Sequence, residues 1–261
     1  MFSTAMSPIL YVLLILAFCI PLCLVAYFKK ILSWDGTAVA LAIGVVIGVF
    51  GSSLWLLLLF ILLFSSFFAT KYKFEYKVQQ GVQEGKHGER GAKNVFVHGF
   101  LPMLIATLNF FIRDLKFQIP SFNEYTAGLL YIVTVSAAGA DTIASELGVL
   151  SNKSYLITNS KRVAPGTNGA VSAFGTLCAL LAAFYISIIG WYMFTLEYPT
   201  WYNILWILFI PVTAGFLGCN IDSVIGATLE TKGYFGKHMT NLISIMFAVL
   251  FAYGVIIWLN P

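Results

Sequence analysis

Two acids set among small residues, then a basic pair and a glycine-rich turn, are the part of this chain best suited to chemistry. Ala140-Asp141-Thr142-Ile143-Ala144-Ser145-Glu146-Leu147-Gly148 closes an apolar segment, and Lys161-Arg162-Val163-Ala164-Pro165-Gly166-Thr167-Asn168-Gly169 follows a short polar run. Carboxylates can hold a divalent cation, while Lys, Arg and free backbone N–H groups can hold phosphate. The combination suits phosphoryl chemistry. Asp222-Ser223-Val224 echoes Asp141-Thr142-Ile143, and each is followed by a further acid, Glu230 and Glu146. The echo reads as a short parallel repeat.

Each cluster also has a plainer reading. Asp141 and Ser145 are four apart and share a helix face, whereas Glu146 falls well round from Asp141. Acids near a membrane helix end are costly unless paired or solvated, so they either serve function or pair structurally with Lys161 or Arg162. The function reading is favoured, because Asp222 repeats the arrangement. Pro165 to Gly169 directly precedes an apolar span, so its N–H groups are expected at a helix N-terminus, where an anion is favoured. Thr167 or Asn168 can equally be the N-cap there. Gly81 to Gly91 carries four glycines with Lys86 and Arg90. It reads either as a flap over a nucleotide or as a basic loop drawn to anionic headgroups; it is not a Walker A loop. Tyr72 and Tyr76, in the run from Lys71 to Lys77, read as interfacial anchors.

Other chemistries find little support. His87, His98 and His238 lack metal-ligand spacing; His98, near the start of the fourth span, either faces the site or, the favoured reading, is a satisfied interfacial histidine. Cys19, Cys23, Cys178 and Cys219 fall in or beside apolar runs, so free thiols and no disulfide are expected. Basic residues scattered over membrane-tied loops argue against nucleic acid. Asn152-Lys153-Ser154 matches a glycosylation acceptor, which the orientation below places in the cytoplasm and so discounts.

The elements that position these residues are membrane spans. The chain has 261 residues, 59% hydrophobic and 10% charged, with a mean hydropathy of +0.87. A soluble domain averages about 25% charged residues. The expected fold is therefore all-α: a polytopic transmembrane helix bundle forming a single integral-membrane domain over residues 1–261. About twenty apolar residues cross the hydrocarbon core, which gives eight spans near 8–28, 36–51, 53–70, 94–112, 125–142, 169–191, 203–220 and 241–259. The first is too long for a signal-peptide core and reads as retained. The boundary between the second and third rests on Gly51-Ser52-Ser53 alone, so a merged or re-entrant pair is the alternative. With both termini outside, thirteen of the fifteen Lys and Arg residues fall inside, leaving Arg113 and Lys116 outside. The third, fifth and seventh spans then deliver three polar clusters to the cytoplasmic face of a multi-pass protein of the cell membrane.

Five motifs in order carry a resemblance. Ala69-Thr70-Lys71-Tyr72-Lys73, Glu89-Arg90-Gly91-Ala92-Lys93-Asn94-Val95, the stretch from Ala140 to Gly148, Pro165 to Gly169, and Asp222 to Thr228 resemble an integral-membrane family known as domain of unknown function ninety-two. That family includes the chloroplast phytyl-phosphate kinase of tocopherol synthesis. The resemblance covers nearly everything beyond the first span. It implies a kinase that converts an isoprenyl monophosphate, phytyl or geranylgeranyl, to the diphosphate with a nucleoside triphosphate. The basic segment followed by Pro-Gly is similar to that of membrane polyprenol kinases and lipid cytidylyltransferases, which favours CTP over ATP. On this reading Asp141, Glu146 and Asp222 hold Mg²⁺, or one of them orients the acceptor. Lys161 and Arg162 bind nucleotide phosphates with the backbone of Gly166, Thr167, Asn168 and Gly169, while Lys86 and Arg90 cover them. Lys71, Asn94, Ser145 and Ser223, within the same motifs, join as candidate phosphate contacts. The prenyl tail stays in the bilayer lipid or in a groove between spans. The rival readings are a transporter of a small anionic or lipid-phosphate solute, with charges near the midplane, and a lipid-binding scaffold without turnover.

Overall fold

The computed structural model describes residues 7–198 and 204–259. Through them run α1 (Pro8–Phe28), α2 (Trp34–Val46), α3 (Ser53–Lys71), α4 (Phe74–Gln80), α5 (Ala92–Arg113), α6 (Glu124–Gly148), α7 (Ala173–Glu197), α8 (Ile204–Ile225) and α9 (Lys237–Leu259). All but the short α4 are long and apolar enough to cross a membrane, α2 and α8 together with the π-helical turns that extend them to Gly51 and Glu230, so the protein is a multi-pass helical bundle. The expected chain termini and residue 203, the expected start of the seventh span, lie outside the described residues. The second and third spans are separate. A π-helical turn carries α2 on to Gly51, Ser52 is extended, and its hydroxyl accepts from the Trp55 N–H at 3.2 Å to cap α3.

Among the boundaries that differ from the sequence reading, three bear directly on the acids and on the turn that faces them. The fifth span, α6, runs on to Gly148 rather than ending at 142, because Thr142, Ile143 and Glu146 are buried against neighbouring elements. Asp141 therefore lies seven residues, about 10 Å, inside the helix. The seventh span runs past 220, through a π-helical turn to Glu230, so Asp222 is also interior. The sixth span, α7, starts at Ala173 instead of 169, with Ser172 capping it by accepting from the Gly175 N–H at 3.0 Å. The residues before it form a small antiparallel sheet of β1 (Ser154–Leu156), β2 (Arg162–Val163) and β3 (Ala170–Val171), ordered β2-β1-β3. Tyr155 pairs with Arg162 on one side and Val171 on the other.

The bundle is built round α6. Every residue from Thr126 to Ala140 is buried, as suits a helix that is apolar on all sides. Small residues let α8 approach it closely. The Ser136 hydroxyl donates to the Pro211 carbonyl at 2.9 Å, and a Cβ on Gly215 would stand 2.3 Å from that hydroxyl, so only glycine permits the contact. Loops and helix ends gather at two faces. At one, Leu32 bridges Arg90, Lys77 pairs with Glu146, and Lys237 with Glu84. At the other, Arg113 donates to the Gly51 carbonyl at 3.1 Å and Trp55 to Glu197 at 3.1 Å.

The first face is held by a buried ammonium. Lys77, on α4, is fully buried; its Nζ donates to the Ala69 carbonyl at 2.8 Å, the Thr70 carbonyl at 3.1 Å and Glu146 Oε2 at 2.7 Å. Those carbonyls lie in the last turn of α3, where intrahelical donors run out. One side chain thus clamps three helices and has an acceptor for each of its three protons. Replacing Lys77 with Met strands a buried carboxylate, for which the expected loss of stability is about 3–5 kcal/mol. Adding Glu146→Gln should recover part of that loss, as measured by unfolding in detergent.

Candidate functional site

Below the Ser136–Gly215 contact the two parallel helices stay in step. Ala137 lies against Gly218, and one turn further each helix presents its acid, Asp141 from α6 and Asp222 from α8. The two carboxyl groups reach hydrogen-bonding distance of one another. They line a cavity of about 280 Å³. From α9, Ser244 Oγ donates to Asp222 Oδ1 at 3.2 Å, and Asn241 Nδ2 lies 3.3 Å from Asp141 Oδ2. With its amide turned over, Asn241 instead reaches Asp222 Oδ1 at 3.3 Å, so it touches an acid in either orientation.

Carboxyl groups this close need a proton or a cation between them. Among the described residues no three His, Cys, Asp or Glu side chains gather to hold a metal by themselves. Two carboxylates that leave the remaining positions to water and substrate phosphates are the usual donor set for Mg²⁺. The pair fits that ion.

The cations facing the cavity are Arg90 and Lys237. Lys237 Nζ donates to Glu84 Oε2 at 3.1 Å, and Asn94 Nδ2 to Glu84 Oε1 at 3.4 Å, so the glycine-rich loop closes over the site through Glu84. His98 Nδ1 donates to the Asn94 carbonyl at 2.8 Å, an oxygen that can only accept, and its Nε2 stands 3.4 Å from Thr142 Oγ1. The turn between β2 and β3 forms another wall. Gly169 (φ +73°) packs so tightly on the π-helical turn that follows α8 that a Cβ there would lie 2.3 Å from the Ala227 nitrogen, and Asn168 Nδ2 donates to Glu230 Oε1 at 2.9 Å.

The residues expected from the sequence divide. Asp141, Glu146, Asp222, Arg90 and Asn94 line the cavity. So do Ser145, Ser223 and the turn from Gly166 through Thr167 and Asn168 to Gly169. Lys71, Lys86, Lys161 and Arg162 lie outside it. Lys71 is spent on the carbonyl of His87, Lys86 is exposed on the loop, and Lys161 and Arg162 stand exposed on the hairpin, where Arg162 Nη2 donates to the Asn152 carbonyl at 3.4 Å. Nor does the 165–169 turn sit on a helix N-terminus, since β3 separates it from α7; any anion it binds meets turn backbone rather than a helix dipole. Glu146 touches the cavity, but Lys77 and Thr70 (2.9 Å) take its two oxygens and Arg90 stands 3.9 Å away. It serves as counter-ion to buried cations, not as a third member of the acid pair.

Missing from the sequence reading was the contribution of α9 to the site. Lys237, Asn241 and Ser244 are spaced i, i+4, i+7 and share one face. An amide within an apolar span, one turn beyond a lysine, is the signal that could have found them.

The profile of the family described as "Integral membrane protein DUF92" matches residues 17–248. The chain belongs to that family. Within it, an uncharacterized membrane protein of Methanocaldococcus jannaschii is 37% identical over 156 residues, 59% of this chain and 58% of its own length. An uncharacterized membrane protein of Synechocystis is 28% identical over 65% of this chain and 61% of its own. The chloroplastic protein VTE6 of Arabidopsis thaliana is 33% identical over 41% of this chain and 31% of its own. The matched segment thus spans about three fifths of the first two relatives and less than a third of VTE6. No solved structure matches the chain.

One ionisation at the site has a readable pH dependence. Burial alone would raise the Glu84 carboxyl, but Lys237, Arg90 and His98 together outweigh it and hold the group below the ordinary glutamate range. A depressed folded value adds stability above the unfolded value, and that contribution is lost as pH falls through the folded one. Since Lys237 is 59% exposed, about 1 kcal/mol or less is at stake. The stability gap between the native chain and Glu84→Gln should be present at pH 7 and close progressively on acidification below the ordinary glutamate value, as followed by thermal unfolding.

Proposed function

We propose that the chain is a kinase that moves the γ-phosphoryl group of a nucleoside triphosphate, CTP in preference to ATP, onto an isoprenyl monophosphate such as phytyl or geranylgeranyl phosphate. The observation carrying this reading is the convergence of Asp141 and Asp222 in one cavity with Arg90, Lys237 and the Gly166–Gly169 turn. The resemblance to the phytyl-phosphate kinase of tocopherol synthesis supports the same class of reaction. The basic residues crowded at the end of the bundle that holds the site favour a cytoplasmic site in a cell membrane, with both termini on the far side.

The chemistry asks for positioning and charge neutralisation more than for covalent help. An oxygen of the acceptor monophosphate forms the new bond to the γ-phosphorus, the bond to the β–γ bridging oxygen breaks, and the nucleoside diphosphate leaves. The acceptor is already anionic near neutral pH, so no strong general base is required, which accords with His98 being tied to Asn94 and Thr142. Asp141 and Asp222 are the residues to hold Mg²⁺, which when bound neutralises phosphate charge. Arg90 and Lys237 bind phosphate oxygens, and the turn backbone with Asn168 orients them. Lys161 and Arg162, exposed on the hairpin, attract the nucleotide without touching its transferred group. The depth of Asp141 in α6 favours a second reading, a transporter of an anionic solute.

Reconstituted protein given geranylgeranyl or phytyl monophosphate, Mg²⁺ and γ-labelled CTP or ATP should place label in the diphosphate. Asp141→Asn or Asp222→Asn should lower kcat by about 10²–10³-fold, the scale for losing a preorganised charge contact. Lys161→Ala should stay within about threefold in kcat, because a residue that only steers the nucleotide acts on binding. Full turnover in both aspartate variants contradicts the site. Accumulation of labelled solute inside the vesicles without diphosphate formation supports the transporter.

A further inference from the structure

A second cavity, about 80 Å³, lies among α1, α2, α3 and α5, walled by apolar residues that include Cys23, Ala26, Ala40, Ile43, Phe60 and Leu63. At one edge stand Arg90, Asn94, His98 and Thr142, and these same four line the polar cavity. The two spaces are back to back, apolar on one side of a thin polar partition and acidic on the other. The bonds that tie the partition's side chains to other elements are long. Arg90 Nη2 donates to Thr70 Oγ1 at 3.3 Å, Asn94 Nδ2 to Glu84 at 3.4 Å, and His98 Nε2 meets Thr142 at 3.4 Å, all at the long end of hydrogen bonding. Little is lost when a phosphate oxygen takes over the Arg90, Asn94 or Thr142 donor; His98 Nε2, with the ring proton on Nδ1, only accepts.

An amphipathic ligand with an anionic head and an unbranched or methyl-branched tail matches this arrangement. Apolar cavities stay dry and accept apolar guests, and a space of this size takes roughly five to eight non-hydrogen atoms. We propose that the slot holds the first isoprenyl unit of the phosphorylated lipid, while its phosphate passes Arg90, Asn94 and His98 into the polar cavity. The remainder of the tail continues between spans into the bilayer. The identity of the head group rests on the kinase reading; the slot itself rests on the shared partition. Ala40 then sets the acceptor's fit, since it is a small, half-buried side chain on the slot wall.

The test uses a geranylgeranyl monophosphate carrying a diazirine on the isoprenyl unit next to the phosphate, photolysed with the full chain in detergent and mapped by peptide mass spectrometry. Label is expected on α1 near Ala26, α2 near Ala40 and α3 near Leu63, competed by unlabelled geranylgeranyl monophosphate. Ala40→Phe should cut that labelling at least tenfold and raise the KM for the prenyl phosphate by a similar factor, leaving the KM for CTP unchanged. Label confined to the outer faces of α7 or α8, or equal slot labelling by a diazirine fatty acid, overturns the proposal. Photolabelling needs no turnover, so the two readings part cleanly. Slot labelling without phosphoryl transfer upholds the slot and removes the kinase; turnover without slot labelling and with an unaltered KM in Ala40→Phe removes the slot alone.

Discussion

Two carboxyl groups within hydrogen-bonding distance inside a membrane protein are poor neighbours unless something positive, or a proton, stands between them. Asp141 and Asp222 are held in that relation by backbone packing rather than by each other. Parallel α6 and α8 meet through Ser136, Ala137, Gly215 and Gly218, small enough to let the helices approach closely, and the next turn of each carries its acid inward. The site is thus set by helix register. A larger residue at Gly215 would separate the acids without altering either of them.

Around this pair the chain arranges charge in two tiers. The inner tier is structural: Lys77 and Glu146, with Thr70 and Arg90 beside them, close the end of α3 against α6 and satisfy each other's hydrogen bonds. The outer tier faces the cavity. Arg90 and Lys237 offer cationic donors, Glu84 steadies Lys237 from the glycine-rich loop, and the Gly166–Gly169 turn closes the remaining side on the π-helical end of α8. Arg90 belongs to both tiers, which couples the packing of α3 to the phosphate-facing wall. In the proposed reaction that coupling ties acceptor and nucleotide to one rigid frame.

Much of this was legible in the sequence because hydrocarbon punishes error. Eight apolar segments, their order, and the clustering of basic residues at alternate loops follow from what a bilayer tolerates. The likeness of Asp141-Thr142-Ile143 to Asp222-Ser223-Val224 marks two acids that line one cavity. What failed was depth and partner choice. α6 and α8 outrun their apolar segments because neighbouring elements, not lipid, cover Glu146 and the turn at Gly226, and hydropathy does not register protein burial. Lys161 and Arg162 looked like phosphate ligands by proximity in the chain, yet a two-residue strand turns them outward. Lys77, at the end of the run that carries the interfacial tyrosines, is fully buried, since only the fold supplies Glu146 opposite it. The α9 contribution was present as a spacing, Lys237, Asn241 and Ser244, in a span otherwise too apolar to draw notice.

In the proposed reaction Asp141 and Asp222 share one divalent cation and leave its other positions to phosphate. Electron paramagnetic resonance of Mn²⁺, as a stand-in for Mg²⁺, titrated into the purified chain with and without a non-hydrolysable CTP analogue, tests it most directly. One bound Mn²⁺ per chain is expected, appearing with the nucleotide and vanishing in the Asp141→Asn/Asp222→Asn double variant. Undiminished nucleotide-dependent Mn²⁺ binding in that double variant would contradict that sharing.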